Sequence, residues 1–214
     1  SLGVKIKTNE HVQSLSVENN IWKLHTAGWI YEGDAVILAN GSKASAISGS
    51  DGSGYEIAAA LGHRIIEPLP ALTALKCKNT GFSGWAGVRT EGRVSLFVNG
   101  EKIIEETGEL QLTDYGVSGI PVFQISRYGI RALKQGQKVA LNLNFLPEFS
   151  KEQLSLFLKT RKENSPYKGK KEFLTGLFPD KLIKVLLAAK DLEEAISSYP
   201  LKVTGFQPFE QAQV

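Results

Sequence analysis

The chain has 214 residues, of which 42% are hydrophobic and 22% charged, with a formal net charge of +3. That is a soluble, globular composition with room for a sizeable core, too weakly basic to argue for nucleic acid by itself, and without an apolar run long enough to span a membrane. A single cysteine, Cys77, excludes an internal disulfide framework and fits a reducing cytoplasmic compartment. There is no methionine, and the chain opens in a strand-like pattern, Val4-Lys5-Ile6-Lys7, which reads as a processed protein or an excised fragment.

Residues 3–33 read as a β-meander. Val12 to Glu18 and Ile21 to Thr26 flank Asn19-Asn20, a tight-turn pair, and Trp29-Ile30-Tyr31 begins a further strand. The stretch that organises the chain follows, from Asp34 to His63. Ala35 to Ala39 is continuously apolar, which predicts a strand buried on both faces. Asn40-Gly41-Ser42 then allows a turn with close backbone approach. A second loop, Gly49 to Gly54, opens a helix in which Ser53 and Glu56 have capping-box spacing. Ile57, Ala58 and Leu61 share a face, and Gly62 suits the C-terminal cap. Free N–H groups at such a start can hold a phosphate or carboxylate, although a capped helix after a flexible loop explains the same pattern.

Arg64 to Glu67 and Ala74 to Lys78 read as strands separated by Pro68 and Pro70. A Gly-rich stretch spans 81–92. Val94 to Val98 and Lys102 to Glu106 flank Asn99-Gly100, the strongest hairpin signal in the chain, and Glu109 to Leu112 reads as another strand. A loop at 116–119 leads into a helix with Pro121 in its first turn. Val139 to Phe145 alternates as a half-buried strand that closes a small barrel. From Ser150, a helix cap, to residue 198 the patterns predict three or four helices. Leu201 to Phe206 reads as a strand leaving them.

Known catalytic and metal-binding motifs are absent. His11 and His25 fall on strand patterns without clustered acids, and His63 follows a helix end. Cys77 reads as a buried thiol. Asp51 and Asp114, beside Gly-rich turns, can bind a hydroxyl or serve as acid or base, or simply stabilise turns. Residues 159–184 hold eight Lys/Arg against three Asp/Glu, the pattern of a solvated helical face more than of a nucleic-acid patch.

Three stretches, Ser48–His63 with Glu67–Cys77, Gly108–Arg127 and Leu201–Val214, resemble in order the middle of the BaiN/YhiN-like bacterial NAD(P)/FAD-dependent oxidoreductases. The resemblance implies an α+β fold. Residues 1–63 would be a partial FAD-binding segment, 64–148 a β-barrel insertion, 149–199 a helical subdomain, and 200–214 a strand returning to the FAD domain. Ala39, Asn40, Gly41 and Ser42 match the family's A-T-G-G turn, with Asn40 and Ser42 departing from it. Gly52, Ser53 and Gly54 match a G-D-G loop, with serine in place of the acid. Tyr115, Gly116, Ser118 and Gly119 match a Y-G-L-S-G loop. FAD is the implied cofactor of the whole protein. The implied partners are the rest of the FAD domain and a small-molecule substrate. This chain alone is expected to be colourless and inactive. The alternative function is a stand-alone module binding a protein or a nucleic acid.

Overall fold

The computed structural model describes residues 3–44, 46–78 and 84–212. The chain forms two compact units, residues 1–68 and 69–214. Gly81, part of the predicted Gly-rich stretch, lies outside the described residues.

The first unit contains a three-stranded antiparallel sheet in the order β1 (Ser14–Glu18), β2 (Ile21–His25), β3 (Ile30–Gly33). The Asn19-Asn20 turn is as the sequence predicts: both residues have positive φ, 52° and 64°, as a two-residue type I′ hairpin requires. His25 Nε2 lies 2.9 Å from Ser16 Oγ across the sheet, and Lys23 pairs with Glu18. Helix α1 covers Ser53–Ala60. Its end is a Schellman motif, with Gly62 (φ 88°) donating to Ala59 O and His63 N–H donating to Ala58 O.

Three predicted strands of this unit are not formed. Val4 to Lys7, Ala35 to Ala39 and Arg64 to Glu67 have no ladder partner among the described residues and run as irregular chain. A strand needs a neighbour for its backbone groups, and apolar patterning cannot supply one. Ile6, Ile37 and Ile66 are accordingly 81%, 90% and 84% exposed. The capping box is also corrected. Gly52, at φ 83°, is the cap position and Ser53 the first helical residue, because the Asp51 carboxylate accepts the Ser53 N–H at 2.8 Å and closes the turn first.

The second unit is a closed six-stranded antiparallel barrel. Its strands are β4 (Leu75–Cys77), β5 (Val88–Val98), β6 (Glu101–Leu112), β7 (Gly116–Ser118), β8 (Val139–Asn144) and β9 (Tyr199–Phe206). Around the barrel they run β4-β7-β6-β5-β8-β9. Inward residues alternate along the strands, with Val94 and Leu96, Leu110 and Leu112, and Leu141 and Leu143 all buried. Asn99 and Gly100, at φ 51° and 91°, form the predicted hairpin. Residues 101–112 make one long strand where the sequence suggests two, since Gly108 (φ 153°) stays in the ladder opposite Gly92 and joins the two predicted segments; the irregularity in the ladder lies at Ile103 instead.

Closure of the barrel belongs to β9, which pairs with both β4 and β8. The strand beginning near Leu201 leaves the helices, as its pattern suggests. It returns to the barrel, because the free edges of β4 and β8 offer it a ladder on each side. Helix α2 (Ile120–Lys134) packs against the barrel through Val122, Ile125 and Ile130. Each such buried side chain contributes about 1.5–3 kcal/mol. Gly129 allows the close approach, as a Cβ there would sit 3.0 Å from Leu96 Cδ1.

Between β8 and β9 run four helices: α3 (Lys151–Glu163), α4 (Lys170–Leu174), α5 (Asp180–Leu187) and α6 (Leu192–Ser197). Ser150 caps α3 in a complete capping box with Gln153. The helices share one apolar core with the barrel, through Leu154, Leu174, Leu182 and Ile196. Among the described residues, no helix is long and apolar enough to cross a membrane.

Candidate functional site

The structure brings together the two loops that the sequence singles out in the first unit. Gly41 takes φ 77°, and a Cβ on it would overlap the Ser50 hydroxyl. Ser42 Oγ accepts the Ala44 N–H at 3.1 Å and tightens the turn. Asn40 Nδ2 reaches Ser53 Oγ at 3.4 Å. A Cβ on Gly54 would fall on the Asn40 carboxamide, and one on Gly52 would come within 2.6 Å of Lys43 Cγ. The departure from threonine at 40 is therefore matched by a glycine, Gly54, on the opposing loop. Asn40 occupies the space that Gly54 vacates.

A cavity of about 380 Å³ lies beside these loops. Ala39, Asn40 and Ser53 line it. Gly41, Ser42, Gly52 and Gly54 do not, and they hold the loops in place instead. The walls also include Leu15 and Leu24 from the sheet, Ile57 from α1, and Glu10, His11, Gly49 and Asp51. The Ser53 N–H, and then its hydroxyl, hold the Asp51 carboxyl below the usual carboxylate range, with a smaller contribution from His11. Asp51 is thus a carboxylate at neutral pH, two residues before the position where the resemblance places an acid.

Gly49 lines this wall. It has φ 86°, and a Cβ built on it meets nothing within 4 Å. The cavity lining combines a carboxamide, a hydroxyl and a carboxylate with an apolar flank. Those features suit a polyhydroxylated ligand with a flat or apolar portion, and FAD has that chemistry. Glu10 and His11 were not singled out for this site by sequence. They carry no motif, and the irregular segment before β1 places them there.

The other candidate residues have structural roles in the second unit. In the Tyr115–Gly119 loop, a Cβ on Gly116 would overlap the Leu75 carbonyl oxygen, and one on Gly119 would overlap that of Glu109. Thr113 Oγ1 accepts the Gly116 N–H at 3.0 Å. Asp114 is exposed. Cys77 is buried, and desolvation pushes its thiol up to about 12, so it is no nucleophile at neutral pH. Among the described residues, no three His, Cys, Asp or Glu side chains cluster as metal ligands.

Half of the basic residues in 159–184 have partners within the protein. Arg161 donates to the carbonyls of Phe173 (2.7 Å) and Thr175 (3.0 Å). Lys162 donates to Lys168 O, Lys171 pairs with Asp180 at 2.9 Å, and Lys181 donates to Ala86 O.

Comparison with known proteins bears on both units. Residues 69–214 match the family described as "HI0933-like protein barrel and H2TH domain", with the same bounds as the second unit. The chain is also 41% identical, over 199 residues, to the 3-dehydro-bile acid delta(4,6)-reductase of Clostridium scindens. The aligned region covers 93% of this chain and 49% of that enzyme, so the chain spans about half the length of this relative.

Proposed function

The chain belongs to the HI0933-like family of BaiN/YhiN-like flavoproteins, and from that premise we propose that it forms part of a FAD-dependent oxidoreductase. Residues 1–63 contribute to the FAD-binding domain, and the barrel with its helices is the insertion that covers the flavin and shapes a small-molecule pocket. The observation that carries this reading is the convergence of the 39–42 turn and the 49–54 loop on one cavity with an open glycine in its wall.

In this reading FAD supplies the electron transfer when bound. Asn40 and the Ser53 hydroxyl would orient hydroxyl groups of the cofactor, and the Asp51 carboxylate would accept a hydrogen bond from one of them. Leu15, Leu24 and Ile57 keep water from the apolar side. In this reading the remainder of the FAD domain covers the exposed Ile6, Ile37 and Ile66. The basic helical face supports a nucleic-acid module poorly, since half its cations are engaged internally.

The test is the visible absorption spectrum of the protein expressed from its complete parent gene, beside that of this chain. Flavin bands in the full-length protein, reduced in its Asn40→Ala and Ser53→Ala variants, and no flavin in this chain are expected. A folded full-length protein without flavin counts against the assignment. Tight FAD binding by these 214 residues alone counts against the division of the cofactor site.

A further inference from the structure

A second hollow, of about 360 Å³, lies in the helical part of the second unit, where α3, α4, the end of α5 and the start of α6 meet. Its floor is apolar: Phe173 and Leu186 are buried, and Leu187, Ala189 and Leu192 are half-buried. Its rim is cationic, formed by the exposed Lys162, Lys170 and Lys190. No acidic side chain lines it. Among the described residues, Lys170 and Lys190 have no ion-pair partner, whereas Lys162 is held by the Lys168 carbonyl at 3.3 Å. Three carboxylates on or beside the same elements are held by other groups. Asp191 caps α6 through Glu194 N–H at 3.0 Å, Glu172 accepts Gly169 N–H at 3.1 Å, and Glu193 takes the Ser155 hydroxyl at 3.4 Å.

We propose that this hollow binds a small amphipathic anion, with its apolar body on the Phe173–Leu186–Leu192 floor and its carboxylate- or sulfate-type head between Lys170 and Lys190. A concave apolar surface of this size with a few convergent polar groups is the usual form of a small-molecule site. Charge complementarity selects an anion. The aliphatic floor selects a ligand with an apolar body, because a bare inorganic ion would leave the floor wet. Single-stranded nucleic acid fits poorly, since the one aromatic ring on the floor is buried and offers no stacking face. A membrane surface fits poorly as well, since it is engaged by protruding apolar side chains and here they are recessed. The hollow shares no residue with the cavity of the first unit, so its test does not depend on flavin binding there.

The probe is decanoate, titrated calorimetrically into the 214-residue chain below its micellar range, with 1-decanol as the uncharged counterpart. Saturable one-to-one binding is expected, with amide NMR shifts centred on Lys170, Ala189 and Lys190. Lys170→Glu/Lys190→Glu, both on exposed positions, is expected to weaken decanoate about tenfold and leave decanol unchanged. Ala189→Trp is expected to block both probes. Melting curves identify any variant that fails to fold, and the single reversals Lys170→Glu and Lys190→Glu then replace the double one. Equal affinity for decanoate and decanol, or an unchanged affinity after charge reversal, overturns the proposal. So does binding only to anionic vesicles or to an oligonucleotide, or no decanoate binding by the folded chain.

Discussion

Gly119→Ala tests the packing role of the Tyr115–Gly119 loop. Gly119 has φ 105° and ψ 163°, a region open essentially to glycine alone, which costs another residue about 1–3 kcal/mol. A Cβ would also overlap the Glu109 carbonyl oxygen and lie 3.2 Å from Gln111 N and 3.3 Å from Leu110 Cα. These atoms belong to the β6 backbone, which cannot rotate away as a side-chain tip can, so overpacking adds about 1–3 kcal/mol. The sum, about 2–6 kcal/mol, corresponds to a fall in melting temperature of about 5–20 °C for a unit of this size. Differential scanning calorimetry of the 214-residue chain measures it. Gly136→Ala is the control, with φ 73° and open space around its Cβ, where only the left-handed strain of about 1–2 kcal/mol applies. If Gly119→Ala melts no lower than Gly136→Ala, the barrel does not require this glycine and the packing account is wrong.

Ser150→Ala removes the hydroxyl that accepts the Gln153 N–H at 3.2 Å, and it is expected to cost about 1 kcal/mol and lower the melting temperature by about 2–4 °C. Cys77, with its thiol pushed up to about 12, is expected to resist iodoacetamide at pH 8.5 in the native chain and to react fully in denaturant. An unfolded thiol ionises near ~8.5, so between that pH and about 12 the native state holds the extra proton. The stability difference between wild type and Cys77→Ala should then shift against wild type as pH rises through that window, and a flat difference would contradict the burial. Amides of residues 35–39, without ladder partners here, are expected to exchange within the dead time in this chain and to be protected in the full-length protein. Rapid exchange in both would remove the proposed covering domain.

Local signals carried the hairpins of both units and much of the barrel. Asn19-Asn20 and Asn99-Gly100 mark their hairpins because only those residue types enter positive φ cheaply. Ser150 and Gln153 mark the start of α3, and the alternation Leu141, Leu143, Phe145 marks a barrel wall. The sequence does not contain the barrel's long-range closure. Nothing within residues 201–206 reveals that this strand lies between β4 and β8, some 60 to 130 positions earlier in the chain. The site was legible as two loops, but its cavity was not. Asp51 displaced Ser53 as the turn-closing group, and His11 arrives from a segment that has no regular structure.

Residues 35–39 are the clearest case where pattern and structure part. Ala35-Val36-Ile37-Leu38-Ala39 has the composition of an interior parallel strand, yet Ile37 is almost fully in water. Leaving such a run exposed forfeits roughly 1.5–3 kcal/mol for each large side chain. A sequence that kept this run apolar without burying it would gain nothing and would risk edge-to-edge association. The pattern is consistent with a neighbour that satisfies both the ladder and the two faces. The turn at 39–42 follows directly from the end of that run, and in open α/β sheets ligands sit outside the carboxyl ends of the strands. The proposed cofactor contacts at Asn40 and Ser53 and the proposed covering of Ile37 are therefore one requirement. On that proposal, whatever pairs with residues 35–39 would also fix the height at which Asn40 meets the cofactor.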